Sequence, residues 1–141
     1  MAILEQIDDV KHVLTSFRRV AVLGAHIRES KPAHYVPAYL DAQGYDIYPV
    51  NPVFAGKTLF GREVVASLSD LNEPVEVVDV FRRSEALPEH VADILAMTPL
   101  PKVVWLQSGI QHDEVAAELS AAGIDVIQSR CMLADHRRWC R

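Results

Sequence analysis

The run Arg19-Val20-Ala21-Val22-Leu23-Gly24 constrains this chain more than any other segment. An unbroken apolar stretch closed by glycine reads as a strand buried on both faces, the mark of a parallel sheet covered by helices. A helical pattern follows it. Pro32 suits a first helical turn, where its missing N–H costs nothing, and Val36, Tyr39 and Leu40 share one face before Gly44 ends the helix. The same alternation then repeats, with strands expected over 46–50, 75–81, 102–107 and 125–128. Helices are expected over 85–97, 113–122 and 132–139, with a shorter one over 63–71 after a loop at 53–62 holding a brief strand at 58–60. Upstream, apolar residues at 3, 4, 7, 10, 13 and 14 predict an N-terminal helix within 1–18.

Strands and helices alternating through short connections predict an α/β fold: a Rossmann-like three-layer sandwich, its mostly parallel sheet of about five strands. At 141 residues the chain is expected to be one domain, with a core over 19–141 that needs no disulfide or metal to hold it. Cys131 and Cys140 form neither a disulfide framework nor a zinc spacing. With 14 Lys and Arg against 19 Asp and Glu, the net charge is -5, and no basic stripe interleaved with aromatics appears. Nucleic acid is therefore not an expected partner. No apolar run approaches a membrane span, and the first residues lack a signal-peptide pattern, so the expected setting is the reducing cytoplasm.

Open parallel sheets bind ligands outside the carboxyl ends of their strands, where the strand order reverses. After the first strand, Gly24-Ala25-His26 leads through Arg28 to Lys31-Pro32, a turn and helix start offering backbone amides and two cations to a phosphate. It is not a dinucleotide fingerprint. In a G-x-G-x-x-G frame from Gly24 the later glycine positions hold His26 and Glu29, and Asn51 stands where an acid for the ribose belongs. The second strand closes with Asn51-Pro52, the third with Phe81-Arg82-Arg83, the fourth with Gln107-Ser108-Gly109 and the fifth with Ser129-Arg130-Cys131. Each has a plainer reading as turn, core or solvated surface. Together they place a cation or a flexible amide at four of five strand ends.

In the order Val22-Leu23-Gly24-Ala25 with Lys31-Pro32, Pro49-Val50-Asn51-Pro52, Gly56-Lys57, Val78-Asp79-Val80-Phe81-Arg82, Trp105-Leu106-Gln107-Ser108-Gly109 and Arg130-Cys131, the chain resembles the small stand-alone CoA-binding proteins. These are single-domain relatives of the CoA-binding domain in the succinyl-CoA synthetase α subunit. The resemblance implies coenzyme A or an acyl-CoA as ligand. It implies the pyrophosphate and the 3′-phosphate near Gly24, Ala25, His26, Arg28 and Lys31, and adenosine near Asn51-Pro52 and Phe81-Arg82. The pantetheine arm would then pass Gln107, Ser108 and Gly109. His26 replaces the small hydroxyl residue often found there, and its imidazole would favour a phosphate most when protonated.

No catalytic constellation accompanies this site: the chain has no G-x-S-x-G elbow, no H-E-x-x-H and no P-loop. His112-Asp113 and Asp135-His136 read as helix caps and surface charge. A non-catalytic CoA-binding or regulatory module is the leading expectation. The alternatives are a regulator sensing NAD(H) or another adenine nucleotide, and an enzyme using CoA. For the last, Cys131 is the residue to watch, since a neighbouring cation and a helix start lower a thiol's pKa and would favour a mixed disulfide with the CoA thiol under oxidation. A buried, inert cysteine is its plainer reading.

Overall fold

The computed structural model describes residues 2–140. Five parallel strands form the sheet: β1 (Arg19–Leu23), β2 (Asp46–Val50), β5 (Val77–Val80), β6 (Val103–Leu106) and β7 (Asp125–Ile127), in the order β2-β1-β5-β6-β7. Helices α1 (Ile7–Ser16), α2 (Pro32–Ala42) and α5 (Met132–Trp139) cover one face, and α3 (Leu87–Leu95) and α4 (Asp113–Ala121) the other. The pleat of β1 shows why its run is wholly apolar. Val20 and Val22 enter the layer under α1, α2 and α5, whereas Ala21 and Leu23 enter the layer under α3 and α4. This is the predicted α/β sandwich. No helix among the described residues is long and apolar enough to cross a membrane.

Two expectations are corrected. The N-terminal helix is shorter than its apolar pattern from residue 3: α1 begins only at Ile7, where Asp8 and Asp9 favour a first turn. Residues 2–4 are instead drawn along β7, an edge strand with unpaired backbone groups. The Val126 N–H donates to the Ala2 carbonyl at 2.8 Å, and the Leu4 N–H to the Val126 carbonyl at 2.7 Å.

The helix predicted over 63–71 is also absent. β3 (Thr58–Leu59) and β4 (Arg62–Glu63) form a small hairpin, and Val65 then runs beside β2. The Val65 N–H donates to the Pro49 carbonyl at 3.1 Å, and the Asn51 N–H to the Val65 carbonyl at 2.9 Å. Satisfying the outer edge of β2 outweighs the weak helical pattern, and only a 3-10 turn survives at Leu68–Asp70.

Candidate functional site

The strand order reverses between β1 and β5, whose following helices α2 and α3 depart to opposite faces. A crevice of about 730 Å³ opens there on the side of α2 and α5. Gly24 lines it with φ +97°. A Cβ at this position would stand 2.7 Å from the Phe81 carbonyl oxygen and 3.2 Å from Arg82 Cδ. Only glycine lets the ends of β1 and β5 come this close.

The turn is held from several sides. The Gly24 and Ala25 N–H groups both donate to the Val50 carbonyl, at 2.8 and 3.3 Å. Asn51 Nδ2 donates to the Ala25 carbonyl at 2.9 Å, and Asn51 Oδ1 accepts the Val53 N–H at 3.0 Å. His26 is tied to α2 through a proline. Pro37 has no N–H to give the Ala33 carbonyl four residues back, and that carbonyl accepts the His26 N–H at 3.3 Å. These amides are therefore spent within the fold, so the turn supplies close approach rather than the anion cradle expected of its backbone. Asn51 fixes the turn with its oxygen and one amide hydrogen. Asn51→Ala is expected to destabilise the protein by about 1–3 kcal/mol, read by urea unfolding, because the buried Ala25 carbonyl loses its partner and the Val53 N–H loses its cap.

Cationic and donor groups stand at the rim. Lys31 is the N-cap of α2, and its carbonyl accepts the His34 and Tyr35 N–H groups at 2.9 and 3.0 Å. Pro32 has no N–H, which leaves the Ala33 N–H without an internal acceptor among the described residues, at the positive end of the helix dipole. His26 Nδ1 accepts the Arg28 N–H at 3.0 Å, which leaves Nε2 to carry the ring proton. Partial burial first, then the charges of Arg28 and Lys31 and the nearby His34, hold the His26 pKa below its ordinary value. The ring is thus a neutral donor at pH 7, and the protonated form that would favour a phosphate most lies at lower pH.

Phe81, Arg82 and Arg83 form the opposite wall, and Gln107, Ser108 and Cys131 close the far end. Gln107 Oε1 accepts the Met132 N–H at 3.2 Å, so a side chain directly after β6 caps α5. Trp105 Nε1 donates to the Arg130 carbonyl at 2.8 Å and fixes the same helix start from one pleat below. Three cations line this crevice, Lys31, Arg82 and Arg83, and no Asp or Glu among the described residues does. Beneath the floor, Asp79 lies between Val22 and Trp105 in the sheet, fully buried and with neither carboxylate oxygen hydrogen-bonded.

Gly24, His26, Lys31, Pro32, Asn51, Phe81, Arg82, Gln107 and Ser108 are thus brought together around one cavity. Five other predicted residues are not on its walls. Ala25 is wholly buried beneath the turn, and Arg28 is exposed outside the crevice. Pro52 lines a separate hollow of about 150 Å³ on the other side of Gly24 and Arg82. The Gly109 N–H is turned to Ser129 Oγ at 3.1 Å. Arg130 makes a two-pronged ion pair with Asp135, at 2.7 and 2.9 Å, and lines a hollow beside residues 3–5.

Arg83 is named with Arg82 among the strand-end cations of the sequence, whereas Tyr35 and Ile110 are not assigned to the site by sequence reasoning. Arg83 carried a signal, since the strand-end rule applies to it as to Arg82, and Tyr35 lies on the first turn after Pro32. No group of three or more His, Cys, Asp or Glu suited to a metal occurs among the described residues.

Comparison with known proteins follows the same lines. The family described as CoA binding domain matches residues 18–137. The Bacillus subtilis protein YneT is 35% identical over 128 residues, which cover 91% of this chain and 92% of YneT. A solved structure from Thermus thermophilus has a TM-score of 0.90 at 49% identity, covering 95% of this chain and 98% of its own. One from Pyrococcus horikoshii has a TM-score of 0.86 at 31% identity, covering 95% and 92%.

Proposed function

This chain belongs to the CoA-binding domain family, and from that premise we propose that its crevice holds coenzyme A or an acyl-CoA as a binding or regulatory module rather than as a catalyst. The observation that carries the reading is electrostatic. A chain of net charge -5 sets Lys31, Arg82 and Arg83 around one cavity and keeps carboxylates out of its lining. Such a cavity favours a ligand with several phosphate oxygens.

In this reading the Lys31 ammonium, the Ala33 N–H and the neutral His26 ring donate to the diphosphate. Gly24 lets the diphosphate approach the crossing of β1 and β5, and Phe81 offers its ring to the adenine. Gln107 and Ser108 supply polar groups to the amides of the pantetheine arm. The single unit acting here is the whole Rossmann-like domain. No side chain in the crevice is paired as nucleophile and base among the described residues, so the chemistry supported is recognition.

Lys31 tests the assignment without endangering the fold, because its side chain is exposed. Lys31→Ala is expected to weaken CoA binding roughly 10- to 100-fold in calorimetric titration, the loss of a charge-assisted contact. Its unliganded unfolding midpoint should stay within about 2 °C of the parent, as for a surface change. Unchanged affinity would remove Lys31 from the site.

A further inference from the structure

We propose that Cys131 undergoes reversible thiol–disulfide exchange with CoA disulfide, the oxidised form of coenzyme A, so that the crevice retains CoA as a mixed disulfide on its own thiol. The inference rests on the CoA reading above and adds a chemical step to it. Coenzyme A ends in a thiol. Of the two cysteines in this chain, Cys131 lines the crevice and Cys140 does not. Cys131 stands at the start of α5, half-buried and free of any disulfide.

The fold pins the backbone around this cysteine. Before it, the Arg130 N–H donates to the Leu106 carbonyl at 3.2 Å, and the Arg130 carbonyl accepts Trp105 Nε1 at 2.8 Å. After it, the Met132 N–H donates to Gln107 Oε1. Gln107 thus caps α5 in place of Cys131, whose own side chain makes no cap bond. The thiol is held beside Gln107, which the CoA reading assigns to the pantetheine arm. A second group marks the same floor as a place for a ligand. Asp79 projects from β5 on the crevice side of the sheet, two residues before Phe81 and in register with Trp105. It is fully buried, and neither carboxyl oxygen has a hydrogen-bond partner among the described residues. An unpaired buried carboxyl is unfavourable, and a polar group entering the crevice floor relieves it.

In the exchange, Cys131 Sγ attacks one sulfur of CoA disulfide. A bond forms between Cys131 and that CoA, and the bond between the two CoA sulfurs breaks. The departing CoA thiolate takes up the proton that Cys131 released. Cys131 is oxidised and the departing CoA is reduced, so no other oxidant is needed, and free CoA thiol runs the step backwards. The adduct therefore follows the ratio of CoA disulfide to CoA. Cys140 cannot resolve it. The two cysteines flank α5, about 13 Å apart at the usual helical rise, whereas a disulfide needs α-carbons within roughly 7 Å. Burial also raises the Cys140 thiol pKa, which keeps its reactive thiolate scarce.

Intact-mass and peptide-mass spectrometry of the full chain, incubated with CoA disulfide or with glutathione disulfide, tests this. CoA disulfide is expected to add a single CoA, on Cys131, at least roughly 10-fold faster than glutathione disulfide adds glutathione, because the crevice holds the reactant in place. S-methyl-CoA keeps the phosphates but cannot exchange, and it should slow the CoA reaction. Cys131→Ser should remove the adduct, Cys140→Ser should retain it, and excess CoA thiol should reverse it. Modification of Cys140 alone, equal rates with the two disulfides, or no adduct in a parent that binds CoA by calorimetry overturns the exchange and leaves the CoA reading intact. A parent that binds no CoA defeats the CoA reading itself. Peptide mapping locates the adduct in the parent, so the result does not depend on either variant folding.

Discussion

Gly24→Ala is expected to abolish measurable CoA binding and to lower the unfolding free energy by about 2–4 kcal/mol. Two causes act together. The backbone there has φ +97°, a conformation that costs a residue with a Cβ about 1–3 kcal/mol. The new methyl would also stand 2.7 Å from the Phe81 carbonyl, a backbone atom within the sheet that cannot swing aside. Relief requires the ends of β1 and β5 to separate, which displaces Arg82 and the floor of the crevice. Gly44 supplies the control. It has a similar φ of +93°, but nothing lies within 4 Å of its added Cβ. Gly44→Ala should therefore carry only the dihedral cost and bind CoA like the parent. Urea unfolding and calorimetry on both variants separate strain from closeness of approach.

Asp79 underlies the second large effect. Its carboxyl is fully buried between Val22 and Trp105, has no hydrogen-bond partner among the described residues, and burial raises its pKa well above the ordinary carboxyl range. The folded state therefore retains the proton after the unfolded chain has released it, and the folded protein binds more protons over that window. Stability falls with rising pH there, by up to about 1.4 kcal/mol per pH unit. The contribution is complete below the unfolded pKa of roughly 3.9 and is lost as pH climbs through the raised folded value. Asp79→Asn keeps the shape and removes the titration. Its stability relative to the parent should increase steadily above about pH 4, read from urea midpoints at successive pH values. Parallel curves for parent and variant would mean that Asp79 has a partner that neutralises it.

The fold was legible where burial on both faces leaves no choice of residue. The apolar runs of β1, β2 and β6 read directly as strands, and Pro32 marked the start of α2 because a helix tolerates proline there. Legibility failed where a segment was claimed by the needs of a distant strand. Residues 2–4 look helical by spacing but complete the edge of β7, and Val65 is held extended by β2. A period in the sequence carries no information about which sheet edge lacks partners.

The site divided along the same line. Strand-end position identified Gly24, Lys31, Phe81, Arg82 and Gln107, since topology alone carries those residues to one place. What their polar groups do there was not legible. Asn51 and the Gly24–Ala25 amides serve the turn, Arg130 serves Asp135, and the Ala33 carbonyl that holds His26 is free only because of Pro37.

The most direct test of the central claim is the thermal unfolding midpoint of the intact protein with CoA or with NAD. A ligand at about 100 times its dissociation constant adds ~2.7 kcal/mol to stability, a rise of roughly 5–10 °C for a domain of this size. CoA is expected to produce that rise at concentrations where NAD produces none. A rise with NAD and none with CoA would contradict the reading of this crevice as a CoA site.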